Sequence, residues 1–247
     1  MQGNYFFDAD HWYSKALRDY IALKDLHEIF SSKSAIDAHA NSQTLISFGE
    51  VNYDIDIKKK IDEEFKRSLT ESLDHFSALT IMALATTFEV AAKDFFRNAF
   101  ISNPKLMHDH LKLDDKKGLV SLNEILDAGD FNGLIKSLSE KASSSATQGK
   151  YGSVLERAFK ICKLEDSSNL KNRINGAQAD RNIIAHEKKV AGRTLKSAED
   201  THAVIAEALE ALAKCALKKN IPGRYTCVNS IRTLSLECIH MCEVDAS

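Results

Sequence analysis

Between Ile57 and Phe100 the chain contains neither proline nor glycine, and a run that long without a breaker has one regular solution. At 1.5 Å rise per residue it makes a helix about 65 Å long. Ile61, Phe65, Leu69, Leu73, Phe76, Leu79, Leu84, Phe88, Ala92, Phe95 and Phe96 recur at close to helical spacing. The pattern predicts one long helix, bent or broken once. Its first half is heavily charged and should be half-exposed. Phe76 to Ala92 is apolar almost all round and should lie at the centre of a bundle.

The rest of the chain is equally poor in breakers. With 2 prolines and 10 glycines among 247 residues, a mostly helical fold follows, and the length allows a core that needs no covalent staples. We expect three parts: an N-terminal helical extension (1–60), a helical domain (61–220) and a C-terminal tail packing on it (221–247). In the first, Asp8 or Asp10 caps a helix over 8–30; Ser31 to Ser34 break it, and Phe48 to Tyr53 read as a loop or a short extended piece. In the second, Asn103-Pro104 ends the long helix and Asp114 to Gly118 form a turn. Two shorter helices follow near 119–128 and 131–142, and Ser143 to Gly149 read as a mobile loop. Tyr151 to Leu164 and Leu170 to Ala185 are helical by pattern, with caps supplied by Asp166, Ser167 and Ser168. Ala191-Gly192 breaks the chain, and Ser197 to Asn220 is a strong amphipathic helix opened by a capping-box-like Ser197 and Asp200. Arg224 to Val244 fits either a helix or a short hairpin.

A formal net charge of −2 argues against coating nucleic acid by bulk charge, so any RNA contact must be local. The five cysteines are an odd number without CxxC spacing, which suits a reducing cytoplasm. The most apolar stretch, Phe76 to Ala92, holds Glu89 and four hydroxyl residues in 17 positions, too short and polar for a bilayer, so no membrane segment is expected. His108 and His110, beside Asp109, have no further metal ligand in view and read as exposed surface. Cys238 and Cys242 read as packing residues. Neither a metal nor a cofactor is expected.

One string concentrates chemistry: Asp180-Arg181-Asn182-Ile183-Ile184-Ala185-His186-Glu187. Asn182 and His186, four apart, share a helix face, so the amide can orient the imidazole. Arg181 is five residues from His186, about 140° round a regular helix. The two converge only if the helix ends or distorts near Ala185, or if two copies of the helix meet. Arginine and histidine without a protein nucleophile suit RNA cleavage by the 2′-hydroxyl: imidazole moves the proton, and guanidinium stabilises the phosphate's added charge. That chemistry needs no metal.

Arg181-Asn182-x-x-x-His186, followed by a break and a long helix, resembles the RNxxxH motif of HEPN domains. Thr86-Thr87-Phe88-Glu89-Val90, a glutamate inside a long apolar helix, resembles the acidic helix of the larger HEPN families of bacterial defence and toxin systems. The resemblance covers roughly Ser68 to Lys219. It implies an all-α helical bundle of HEPN type, with a long central helix and additional N- and C-terminal elements. It also implies a homodimer whose two motif helices face one cleft, acting as a metal-independent endoribonuclease that leaves a 2′,3′-cyclic phosphate. Arg181 and His186 match the catalytic pair, and Asn182 the polar residue supporting them. Glu89 is carried over as the acidic residue of that helix; a carboxylate in an apolar segment needs a cation, either Arg181, which Glu89 would then hold in place, or Lys93 or Arg97 at helical spacing. Lys188, Lys189, Arg193 and Lys196 follow the motif as a basic patch, solvated surface by default and an RNA-binding strip by adjacency. The implied setting is a prokaryotic toxin–antitoxin or antiviral system, with RNA and an antitoxin or regulatory protein as partners. A non-catalytic HEPN module that binds RNA or a partner protein is the alternative, and a plain helical scaffold a more distant one.

Overall fold

The computed structural model describes residues 5–34, 37–38, 55–111, 122–165, 167–187 and 190–226. In chain order these form a two-residue strand β1 (Phe7–Asp8), α1 (Ala9–Ser31), α2 (Ile55–Ser102), a 3-10 turn (Pro104–Met107), α3 (Leu122–Ala128), α4 (Phe131–Ala146), α5 (Tyr151–Cys162), α6 (Ser168–Glu187), α7 (Leu195–Lys218) and β2 (Gly223–Arg224). The fold is all-α.

The proline- and glycine-free run makes one unbroken helix of 48 residues, α2, so the expected break is absent. Asn103, outside helical space at φ −143°, and Pro104 stop it. α1, α4, α6 and α7 pack around α2. Its C-terminal half supplies a ladder of buried aromatics: Phe88, Phe95, Phe96 and Phe100. The Phe96 ring lies 5.3 Å from Phe95 and 5.8 Å from Phe100, and Phe7 meets Phe95 edge-on at 5.7 Å. Leu155, Ile174, Ile205 and Leu212 close the core from α5, α6 and α7. Burial of such side chains is worth about 1.5–3 kcal/mol each. Phe7, Ala9 and Ala16 sit in this same core, so α1 belongs to one packing unit with α2 and α7.

Phe76 to Ala92 is not enclosed all round. Phe76, Leu79 and Val90 remain 44–48% exposed, because the neighbouring helices cover only part of α2's circumference here. Glu63–Ser102 is long and apolar enough to cross a membrane by length and composition, and half of its apolar window is buried inside the protein.

Four local expectations are settled by capping and hydrogen bonding. Asp8, not Asp10, caps α1, accepting from His11 N at 2.9 Å. Asp10 instead accepts from Thr226 N at 3.1 Å, fastening the segment after β2 to α1. The expected mobile loop is mostly helix: α4 continues to Ala146, and Ser143 and Ser144 turn their hydroxyls back on Glu140 O, so the serines suit a helix interior. Thr194, not Ser197, caps α7, which therefore starts two residues early, at Leu195. Gly223–Arg224 pairs in parallel with Phe7–Asp8, so this part of the tail is neither helix nor hairpin. Phe48 to Tyr53, Asp114 to Gly118, and Cys227, Cys238 and Cys242 lie outside the described residues.

Three histidines are built into the packing. Burial holds the imidazoles of His27, His110 and His202 below their ordinary value of 6.5. As the pH falls through about 6.5 the unfolded chain takes up protons that the native state resists. Stability is therefore full above that value and declines below it. A lower urea midpoint at pH 5.5 than at pH 7.5 is the expected result.

Candidate functional site

α6 is anchored by Leu170, Ile174, Ala177 and Ile184, all buried. These positions define an inward stripe at helical spacing, and Arg181 falls on it between Ala177 and Ile184. Its side chain therefore turns toward α2 and is only 30% exposed, whereas Asn182 and His186 face solvent. The helix stays regular through Glu187. The distortion near Ala185 that would join Arg181 to His186 within one chain does not occur.

Arg181 Nη2 lies 3.8 Å from Glu89 Oε1, so the acidic residue of α2 and the arginine of α6, far apart in sequence, meet. Tyr151 donates its hydroxyl to the same Glu89 oxygen. Burial, and then the hydrogen bond and charge of Glu89, push the Tyr151 phenol above its ordinary value of 10.0 and keep it a donor. Arg181 Nη1 donates to Asn182 Oδ1 at 3.2 Å. The guanidinium is thus held by a carboxylate on one side and an amide on the other. Its Nε is buried without a hydrogen-bond partner among the described residues, an unmet donor beside an anchored cation. The alternative partners for Glu89 are engaged elsewhere: Lys93 with Glu140 at 3.9 Å, and Arg97 with Asp94 at 2.8 Å and Glu140 at 3.2 Å.

The expected bond from Asn182 to His186 is replaced by this bond to Arg181. Among the described residues His186 has no hydrogen-bond or ion-pair partner. Arg193 is paired with Asp180 at 2.9 Å, and Lys196 with Glu199 and Asp200 at 3.0 Å each, so both are locally neutralised. Lys188 and Lys189 lie outside the described residues.

Residues that the sequence did not single out frame the site. Gln178 lies one turn before Arg181 on α6; it accepts from Tyr151 N at 3.0 Å and donates to Gly149 O at 3.1 Å. Asn175 accepts from Gly152 N at 2.8 Å. A Cβ on Gly152 would come within 2.9 Å of Lys171 O, so only glycine lets α5 approach α6 this closely. Together these contacts seat the start of α5 on α6 and present Tyr151 to Glu89. A pocket of about 320 Å³ opens beside them, lined by Phe88, Glu89, Lys93, Tyr151, Val154 and Gln178. The readable signal was the polar pair Asn175 and Gln178 on the side of α6 that leads to Arg181.

His108 is exposed and pairs with Asp109 at 3.1 Å, but His110 is half-buried against Phe96 and Phe100 rather than on the open surface. Among the described residues no group of three His, Cys, Asp or Glu side chains is arranged to hold a metal ion. Comparisons with protein-family models, with curated proteins and with solved structures find no match to this chain.

Proposed function

We propose that the chain is a metal-independent endoribonuclease of HEPN type that works as a homodimer. The observation that carries this reading is the Glu89–Arg181 pair: the acidic helix and the RNxxxH string, recognised separately in the sequence, meet through a carboxylate and the cation expected to satisfy it. Glu89, Tyr151 and Asn182 restrict the guanidinium and so lower the entropy lost when it binds a phosphate.

Arg181 faces inward and His186 outward, so one chain holds half of each site. Laid against a second copy of α6, His186 of one chain comes to serve Arg181 of the other. The imidazole takes the proton of a ribose 2′-hydroxyl, and the 2′-oxygen bonds to the adjacent phosphorus. Guanidinium stabilises the negative charge on the phosphoryl oxygens. The phosphorus–5′-oxygen bond breaks, solvent protonates the departing 5′-oxygen while the imidazolium returns its proton to solvent, and the 2′,3′-cyclic phosphate remains. The resemblance extends the proposal to a cytoplasmic toxin or effector of a prokaryotic toxin–antitoxin or antiviral system, restrained by an antitoxin or regulatory protein.

The separation of Arg181 and His186 on a regular helix favours a second reading, a non-catalytic HEPN module that binds RNA or a protein. Incubating purified protein with total RNA in EDTA and sequencing the ends separates the two. Discrete cuts ending in 2′,3′-cyclic phosphate support the nuclease; RNA bound but uncut supports the module. If the nuclease reading holds, Glu89→Gln lowers the cleavage rate by about tenfold, the equivalent of one charge-assisted contact, and lowers stability by no more than the roughly 1 kcal/mol of that partly solvated ion pair.

A further inference from the structure

A second cavity, larger than the one beside Glu89 and Tyr151, lies away from Arg181. A cleft of about 820 Å³ lies on the other side of the α4–α5 connection, between the 3-10 turn, the end of α4, α5 and the end of α7. Five cations line it: Lys105, Arg157, Lys160, Lys163 and Lys219. Among the described residues lining it, one carboxylate, Asp109, faces them, and it is paired with His108.

Helix C-termini attract cations without any ligand, and α4, α5 and α7 all end here. At the ends of α4 and α5 that demand is met by other bonds. Arg157 donates to Ala146 O and Gln148 O at 2.7 Å each, and Lys218 donates to Lys163 O at 2.6 Å. The ammonium groups of Lys105, Lys160, Lys163 and Lys219 have no hydrogen-bond or ion-pair partner among the described residues. In a protein of net charge −2, four unpaired cations around one cavity are a local concentration of positive charge. His110, on the cleft wall, senses it: burial first, then the charge of Arg157 and of Lys160, holds its imidazole below the ordinary value. Between the cations, Leu106 and Ile161 supply an apolar floor. Small-molecule sites combine such a floor with a few polar groups in cavities of roughly 300–1,000 Å³.

We propose that this cleft binds a phosphorylated ligand of nucleotide size, with phosphates on Lys105, Lys160, Lys163 and Lys219 and the ring on Leu106 and Ile161. Two sources share this chemistry, a free nucleotide and a nucleotide within an RNA chain. The site stands whether or not Arg181 and His186 cut RNA. It also touches the other site's frame: Gln148 lines this cleft, while its neighbours Thr147 and Gly149 line the pocket of Glu89 and Tyr151.

Calorimetric titration of the full chain with ATP and, separately, with a short oligoribonucleotide tests the proposal, with inorganic tripolyphosphate as competitor. Saturable binding of either, displaced by tripolyphosphate and weakened about tenfold or more by Lys105→Glu with Lys160→Glu, is the expected result. ATP binding identifies a free nucleotide, and oligoribonucleotide binding alone identifies an RNA chain. Lys105 and Lys160 are both exposed, so the double variant should keep its melting temperature. A second double variant on distant surfaces, Lys24→Glu with Lys66→Glu, controls for bulk charge. The proposal is overturned if neither ligand saturates, if the cleft variant binds as wild type does, or if the distant variant loses as much.

Discussion

Replacing His186 with alanine is expected to lower RNA cleavage by about 10²–10⁴-fold, the usual contribution of a positioned general acid or base. The side chain is exposed and has no partner among the described residues, so stability should change by less than about 0.5 kcal/mol. The effect should therefore appear in the rate alone. A fluorogenic RNA assay in EDTA, read beside a thermal melt, checks both halves. Wild-type cleavage by His186→Ala, in preparations free of contaminating nuclease, would remove this residue from the mechanism.

The second large effect is expected at Arg181. In the proposed mechanism Arg181→Ala removes the group that stabilises phosphoryl charge, an expected loss of about 10²–10³ in rate. Unlike the histidine variant it should also lower stability, by about 1 kcal/mol, because Glu89 keeps Tyr151 but loses its cation and both partners are partly solvated. Arg181→Lys separates the two contributions. An ammonium can still pair with Glu89 and restore the melting temperature, but it lacks the planar fork that grips a phosphate and the Asn182 oxygen together. The lysine variant should fold like wild type and cleave like the alanine variant. Full activity in Arg181→Lys would show that charge alone suffices there.

What was legible in the sequence was what repeats with a helix period. The breaker-free run gave α2 to within a few residues, and the helix pattern from Leu170 to Ala185 marked most of α6. The five-residue step from Arg181 to His186, about 140° round a regular helix, was the geometric obstacle to a one-chain site. What was not legible depends on which surfaces meet. The exposure of Phe76, Leu79 and Val90 depends on how far α1 and the other helices reach round α2, which no local pattern encodes. Ser143 to Ser145 looked like a loop by composition, but the hydroxyls of Ser143 and Ser144 satisfy themselves on a helix carbonyl, and packing of Ala142 and Ala146 decided the outcome. Tyr151 was visible only as a helix start. Its role arises because Gly152 lets α5 approach α6, a contact between segments more than 20 residues apart.

The central claim is that Arg181 and His186 act on RNA from two copies of the chain. Arg181→Ala and His186→Ala chains carrying different tags can be co-expressed and the mixed dimer purified. Each parental dimer lacks one essential group at both sites, but in the mixed dimer one site combines the intact arginine of one chain with the intact histidine of the other. By two-fold symmetry the mixed dimer should recover about half of the wild-type rate in EDTA. A mixed dimer as inactive as its parents, or a wild-type chain that cleaves RNA as a monomer, would contradict the account.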